Sequence, residues 1–251
     1  MKHNLAKEQM LKGNPAIGAE VSLGSPISAE IISSVGFDFV VVDFQHGAWT
    51  EESATAAFRS IVLGGSIPMA RVRKNDYSLI GRLLDLGVMG IIVPMVNSVE
   101  DAQSAAYATR YPPQGGRSNG AFATGYLGND YEQKIDNEVF LAVQIETGIA
   151  QLKSEEIMAV EGIDACWIGP MDLARTKGLD LKTKDGQDQH VKAITDIVES
   201  CIRAGKIPGI ALGDPEIARF WIERGCLFVT TGTDASWARD GAVKTLSQLK
   251  S

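Results

Sequence analysis

The sequence predicts an α/β protein folded as a closed (β/α)8 TIM barrel of parallel strands. Three observations predict it. Short β-rich apolar runs alternate with longer amphipathic stretches, the runs number eight, and they fit within 251 residues, about the length such a barrel needs. The runs are also apolar nearly throughout, the pattern of a parallel sheet buried on both faces.

Residues 16–23 (AIGAEVSL) read as the first strand, and Ser25-Pro26 then opens a helix with proline in its first turn. The second strand is FDFVVVDF (37–44), followed by a helix capped at Thr50-Glu51-Glu52-Ser53. IPMARVR (67–73) and GIIVPMV (90–96) are the third and fourth strands, and Ser98-Val99-Glu100-Asp101 is a capping-box start to the next helix. VFLAVQIET (139–147), IDACWIG (163–169), IPGIAL (207–212) and LFVTTGT (227–233) complete the eight, with Asp214-Pro215-Glu216 opening the helix between the last two. Gly36, Gly87, Gly162 and Gly225 each stand just before a strand, where a left-handed residue stops a helix.

Two connections are longer than the rest. Residues 109–138 hold TRYPPQGGRSNG and then a helix, and residues 174–190 are polar; loops this long in a barrel tend to cover a site. An open doubly wound sheet is the competing architecture, but it usually carries a glycine-rich phosphate loop after its first strand, and LGSP matches that poorly. With no boundary in composition, residues 1–251 are expected to form one domain.

A net charge of −7 and the lack of any Lys/Arg run argue against a nucleic-acid surface. No apolar stretch approaches the roughly 18 residues of a membrane span, and the first residues lack a signal-peptide pattern, so a cytoplasmic protein acting on small molecules is expected. Cys166, Cys201 and Cys226 are widely spaced, two of them in apolar runs, and read as buried free thiols.

In such a barrel the chemistry sits at the carboxyl ends of the strands. The second strand ends in Asp43, Gln45 and His46, the third in Arg71 and Arg73, and the fifth in Gln144, Glu146 and Thr147. The sixth runs into Gly169-Pro170-Met171-Asp172, and the last two contribute Asp214 and Thr230 to Asp234. Glu146 shares a strand face with Ala142 and Gln144. An ionised carboxylate facing a barrel interior needs an arginine or a cation. With Asp172 on the next loop and no His or Cys close by, a hard cation such as Mg²⁺ or Mn²⁺ is the sharper reading. His46, two residues past an apolar strand, is either a hydrogen-bonded structural residue or an acid/base, with Asp85 as an orienting group or merely a helix-end acid. Arg71 suits either a structural pair with Asp43 or Glu146, or a substrate carboxylate or enolate oxygen. An imine-forming aldolase needs a desolvated lysine in the mouth; of the lysines only Lys74 comes near a strand end.

Taken together, VDFQHG (42–47), PMARVR (68–73), LLDLGVMGIIVPMV (83–96), RYPPQGGR (110–117), VQIET (143–147) and IGPMDL (168–173) resemble the HpcH/HpaI family of class II pyruvate aldolases, in particular its bacterial hydroxy ketoacid aldolases. The resemblance implies that His46 is the acid/base with Asp85 raising its basicity, that Arg71 stabilises the enolate, and that Asp43 sits in the same network. It further implies that Glu146 and Asp172 hold a divalent cation (Mg²⁺, Mn²⁺ or Co²⁺). Gln144, Gly169 and the Met171–Asp172 backbone would hold the 2-oxo acid, and Leu212 would border the aldehyde pocket. It implies a hexamer built as a trimer of dimers with the last helix exchanged between partners. Many relatives carry Glu where Gln45 stands, which bears on acceptor preference. Two rivals stay open: a lyase acting on a CoA thioester, for which Arg110, Arg117 and Arg175 offer only a thin basic rim, and a non-catalytic barrel that has kept its pocket.

Overall fold

The computed structural model describes residues 1–250 as eight parallel strands closed into a barrel, each hydrogen-bonded to the next and the last to the first. The strands are β1 (Ala16–Val21), β2 (Phe39–Asp43), β3 (Ile67–Arg71), β4 (Gly90–Val93), β5 (Phe140–Ile145), β6 (Ala165–Ile168), β7 (Gly209–Leu212) and β8 (Phe228–Thr233). All eight lie within the runs expected from the sequence. Closure is parallel, with Ala16 opposite Phe228 and Gly18 opposite Thr230, but the register slips by the next pair, Glu20 opposite Thr233.

The helices begin with α1 (Leu5–Leu11), α2 (Pro26–Ser33), α3 (Glu51–Leu63), α4 (Tyr77–Asp85), α5 (Val99–Thr109) and α6 (Tyr131–Glu138). They continue with α7 (Gly148–Leu152), α8 (Ser154–Met158), α9 (Pro170–Thr176), α10 (Lys184–Arg203), α11 (Pro215–Ile222) and α12 (Asp234–Lys250). The expected caps are made, but the box expected at Ser98 is one-sided: Ser98 accepts from the Asp101 amide, while Asp101 accepts from the amide of Asn97 and not of Ser98. Ser25, Thr50, Ser98 and Asp214 each accept amide hydrogens of the first turn, and Thr50 with Ser53 forms a reciprocal box. Gly36, Gly87, Gly162 and Gly225 all have positive φ, between 89° and 110°. One expectation needs correction: the polar stretch 174–190 is not all loop. Thr183 caps Lys184–Arg203 through its hydroxyl, so His190 lies inside α10 and its Nε2 contacts the Pro170 carbonyl at 2.7 Å.

The barrel has an aromatic floor and a polar mouth. Phe39 and Phe228 stack at 4.7 Å, Phe140 meets Phe228 edge-on at 4.9 Å, and Trp167 joins them at 6.5 Å. Above this floor the Arg71 guanidinium lies 5.2 Å from the Trp167 ring centre. Short α1, unforeseen from the sequence, closes the opposite end: Ala6 and Met10 are buried, and Asn4 Nδ2 donates to the Met89 and Glu138 carbonyls.

Candidate active site

At the carboxyl ends of β2 and β3, Arg71 donates through Nε and Nη2 to both oxygens of Asp43, at 2.8 and 2.6 Å. Both side chains are buried, and this two-point, charge-assisted geometry fixes the guanidinium plane. Of the two partners open to Arg71 from the sequence, Asp43 is the one it takes. Asp43 Oδ1 also accepts the backbone N–H of Gln45 at 3.0 Å and of His46 at 3.4 Å, so one carboxylate positions both the arginine and the turn that carries His46. His46 itself stands exposed at the rim.

A second group gathers where β5 and β6 end. Gln144 Nε2 donates to Glu146 Oε2 at 2.7 Å, and the Met95 amide donates to Glu146 Oε1 at 2.8 Å. Met95 makes that bond from a left-handed backbone, φ 56°, unusual for a residue with a Cβ. Burial pushes the Glu146 carboxyl above the usual carboxylate range; the Met95 hydrogen bond opposes that shift, the charge of nearby Asp172 adds to it, and Arg71 opposes it. Asp172 lies in the first turn of α9 and is itself about half exposed. Gly169 is required here: a Cβ on it would stand 2.9 Å from Glu146 Cβ and Oε2 and 3.0 Å from Gln144 Nε2. Met171 is exposed beside Asp172, and Leu212 ends β7 partly buried against the core.

This set fits a hard divalent cation. Glu146 and Asp172, close enough for their charges to oppose each other, offer only oxygen donors, and beside Glu146 the Gln144 Oε1 is a buried carbonyl oxygen without a hydrogen-bond partner. Among the described residues no three His, Cys, Asp or Glu side chains converge, so Glu146 and Asp172 would hold such a cation with oxygens from outside the chain making up the rest.

Asp85 does not join this group within one chain. It is the last residue of α4, a helix that leaves the mouth after β3 and returns to the opposite end of the barrel before β4. There its Oδ1 accepts from Arg117 Nη2 at 2.8 Å, and Arg117 packs over the rings of Tyr111 and Tyr131. Arg73 donates to the Trp49 carbonyl, and Asp214 is spent capping α11. Asp234 accepts from the Ser22 amide and the Ser22 and Ser28 hydroxyls, tying the end of β8 to the turn after β1.

The sequence reading missed Glu20. It points inward from β1, accepts from Thr230 Oγ1 at 3.0 Å and lies 3.7 Å from Arg71 Nη2. Burial raises its carboxyl to about 7. Its signal was present: a lone acid in the apolar run AIGAEVSL, two residues from the inward Gly18.

No lysine is among the buried polar side chains of the described residues, and Lys74 is exposed beside Asp76. The mouth therefore offers acids, one fixed arginine and a histidine. The sequence pattern of the HpcH/HpaI aldolase/citrate lyase family matches residues 20–240. The chain belongs to that family.

It is 34% identical over 252 residues to the hydroxypyruvate/pyruvate aldolase of Cupriavidus necator, covering 99% of this chain and 93% of that enzyme. It is 35% identical over 247 residues to the 4-hydroxy-2-oxo-heptane-1,7-dioate aldolase of Klebsiella pneumoniae, covering 96% and 91%. The crystal structure of a family member from Burkholderia cenocepacia superposes with a TM-score of 0.90 at 29% identity, covering 99% of this chain and all of that one. The chain is accordingly an aldolase, a carbon–carbon lyase on a TIM barrel. Members of this family generally depend on a divalent metal. No helix of the described residues is long and apolar enough to cross a membrane, and all three cysteines are free and buried.

Proposed function

We propose that this enzyme joins pyruvate or hydroxypyruvate to an aldehyde to give a 4-hydroxy-2-oxo acid, or cleaves such an acid, with Mg²⁺, Mn²⁺ or Co²⁺ at Glu146 and Asp172. The observation that supports it is the make-up of the mouth: the oxygen donors Glu146 and Asp172 past the ends of β5 and β6, and an arginine on β3 locked by Asp43 on β2. A bound cation supplies Lewis acidity toward the keto oxygen.

The chain's own residues do the rest. Gln144, Gly169 and the Met171–Asp172 backbone seat the oxo acid's carboxylate end. His46 takes a proton from the carbon next to the keto group, a step to which a positioned base contributes about 10²–10⁴-fold. The oxygen that gains charge meets Arg71 Nη1, which the Asp43 pair leaves uncommitted, and a preoriented donor of this kind lowers the barrel's reorganisation cost in the transition state. Leu212 offers an apolar border to the incoming aldehyde. Of the three arginines that a CoA thioester could use, Arg110 is bound to Gly162 and Asp164 before β6 and Arg117 to Asp85 at the far end of the barrel, which leaves Arg175 alone beside the mouth.

We also infer a cytoplasmic hexamer with α12 exchanged between partners. In one chain Asp85 is at the wrong end to polarise His46, so that role requires the Asp85 of another copy. The test of the site is His46→Ala: it should lose most turnover and still bind Mn²⁺ by titration. Turnover near that of the unmodified enzyme would remove His46 from the mechanism.

A further inference from the structure

Glu20 is the one charged side chain of the mouth to which no role has been given. Its surroundings are specific. The closing seam of the barrel slips in register beside it, so that Gly18 faces Thr230 but Glu20 faces Thr233, with Gly232 between at φ 134°. A bulge of this kind re-aims side chains next to active sites. Here it leaves Thr230 Oγ1 donating to Glu20 Oε1 and leaves Oε2 turned toward Arg71 Nη2, 3.7 Å away.

Charge counting shows what that oxygen is. The charged groups that face Glu20 are Arg71 from β3 and Asp43 from β2; β8 presents the uncharged Thr230. Arg71 is already neutralised by Asp43 at two points, so an ionised Glu20 is a surplus buried anion. The neutral acid carries its proton on Oε2, because Oε1 is the acceptor of the threonine hydroxyl. That proton then lies on the oxygen 3.7 Å from Arg71 Nη2, the nitrogen that also serves Asp43; the second N–H of Nη2 points along the edge shared with Nη1, where the reading above puts the substrate's oxygen anion.

We propose that Glu20 is a substrate-binding acid: un-ionised, it donates a hydrogen bond to the same anionic oxygen that Arg71 holds, so that binding the oxo acid is coupled to keeping one proton in the mouth. The inference rests on the oxo-acid reading of the site. It adds a second donor, on β1, to the oxygen that Arg71 alone was expected to hold. An ionised Glu20 at the same place repels the substrate, which makes affinity fall as pH rises through neutrality.

The test uses the Mg²⁺-loaded enzyme and pyruvate, reading KM and kcat separately from deuterium uptake into the methyl group between pH 6 and 8. For a group titrating near 7, KM of the unmodified enzyme should rise about tenfold over that range. Glu20→Gln keeps the shape and a permanent donor, and its KM should change less than about twofold. Glu20→Ala should show a raised KM at pH 6, equally flat, with kcat reduced far less than KM is raised. Parallel pH profiles of KM for the unmodified enzyme and Glu20→Gln would overturn the proposal while leaving the aldolase reading intact, since exchange would still be seen. Absence of exchange in the unmodified enzyme would overturn both.

Discussion

Replacing Asp43 with Asn probes the join between the two halves of the account, because one carboxylate holds both Arg71 and the turn of His46. The substitution keeps the shape. It leaves one acceptor oxygen and turns an N–H2 group toward a guanidinium nitrogen now 2.6–2.8 Å away. The pair is buried, with side-chain exposures of 10% for Arg71 and 5% for Asp43, so solvent does little to screen the loss. Breaking a buried pair by removing one partner costs about 3–5 kcal/mol. Glu20, 3.7 Å from Nη2, remains as a substitute counter-charge and moves the expectation to the lower end, about 3 kcal/mol. For a chain of this length that corresponds to a fall in Tm of roughly 6–12 °C by calorimetry at pH 7. The double variant Asp43→Leu with Arg71→Met should regain much of that stability, since neither charge is left alone, while remaining inactive. A fall in Tm below about 2 °C for Asp43→Asn would refute the claim that this pair organises the mouth.

Further outcomes follow from other contacts. Gly169→Ala should fold and lose at least about tenfold in Mn²⁺ affinity, because its methyl group displaces Glu146; unchanged affinity in a titration would contradict the close approach of the two residues. Burial raises the folded-state pKa of Glu20 from 4.5 to about 7, making it a weaker acid, so its cost to the fold is absent below pH 4.5 and complete above 7. Glu20→Gln should therefore melt with the unmodified enzyme at pH 4.5 and above it at pH 8, by on the order of 2 kcal/mol; the same difference at both values would count against burial as its cause. His46→Ala and Asp85→Asn, each nearly inactive alone, should regain activity when their subunits are mixed and reassembled, and failure to recover would exclude a site shared between copies. Cys166, Cys201 and Cys226 should resist alkylation until the protein unfolds; rapid labelling of the native enzyme would contradict their burial.

The fold was legible because the barrel's demands are local. Near-continuous apolar strands, hydroxyl or carboxylate caps and glycine stops each act within a few residues, and all eight strands fell inside the expected runs. The grouping of Gln144, Glu146 and Asp172 was legible for the same reason: the first two are two apart on one strand, and Asp172 follows a Gly-Pro helix start. What escaped depends on where strands meet around the circle. Glu20 acquires its meaning from Arg71 and Thr230, 51 and 210 residues away, and from a register slip that no strand pattern announces. Met95 escaped because a methionine gives no sign of a left-handed backbone that aims an amide at Glu146. Asp85 was read near His46 by its place in a motif, whereas α4 carries it the length of the barrel away from the mouth to Arg117.

The central claim is that the two halves of this mouth remove a proton next to the keto group of a small 2-oxo acid. Incubating the enzyme with pyruvate in D₂O and following the methyl signal by NMR tests it without knowledge of the aldehyde. Deuterium should enter with Mg²⁺ or Mn²⁺ present, stop when EDTA is added, and stop in His46→Ala. A methyl signal that stays fully protonated with either metal, for pyruvate and for the corresponding hydroxymethyl signal of hydroxypyruvate, would contradict it.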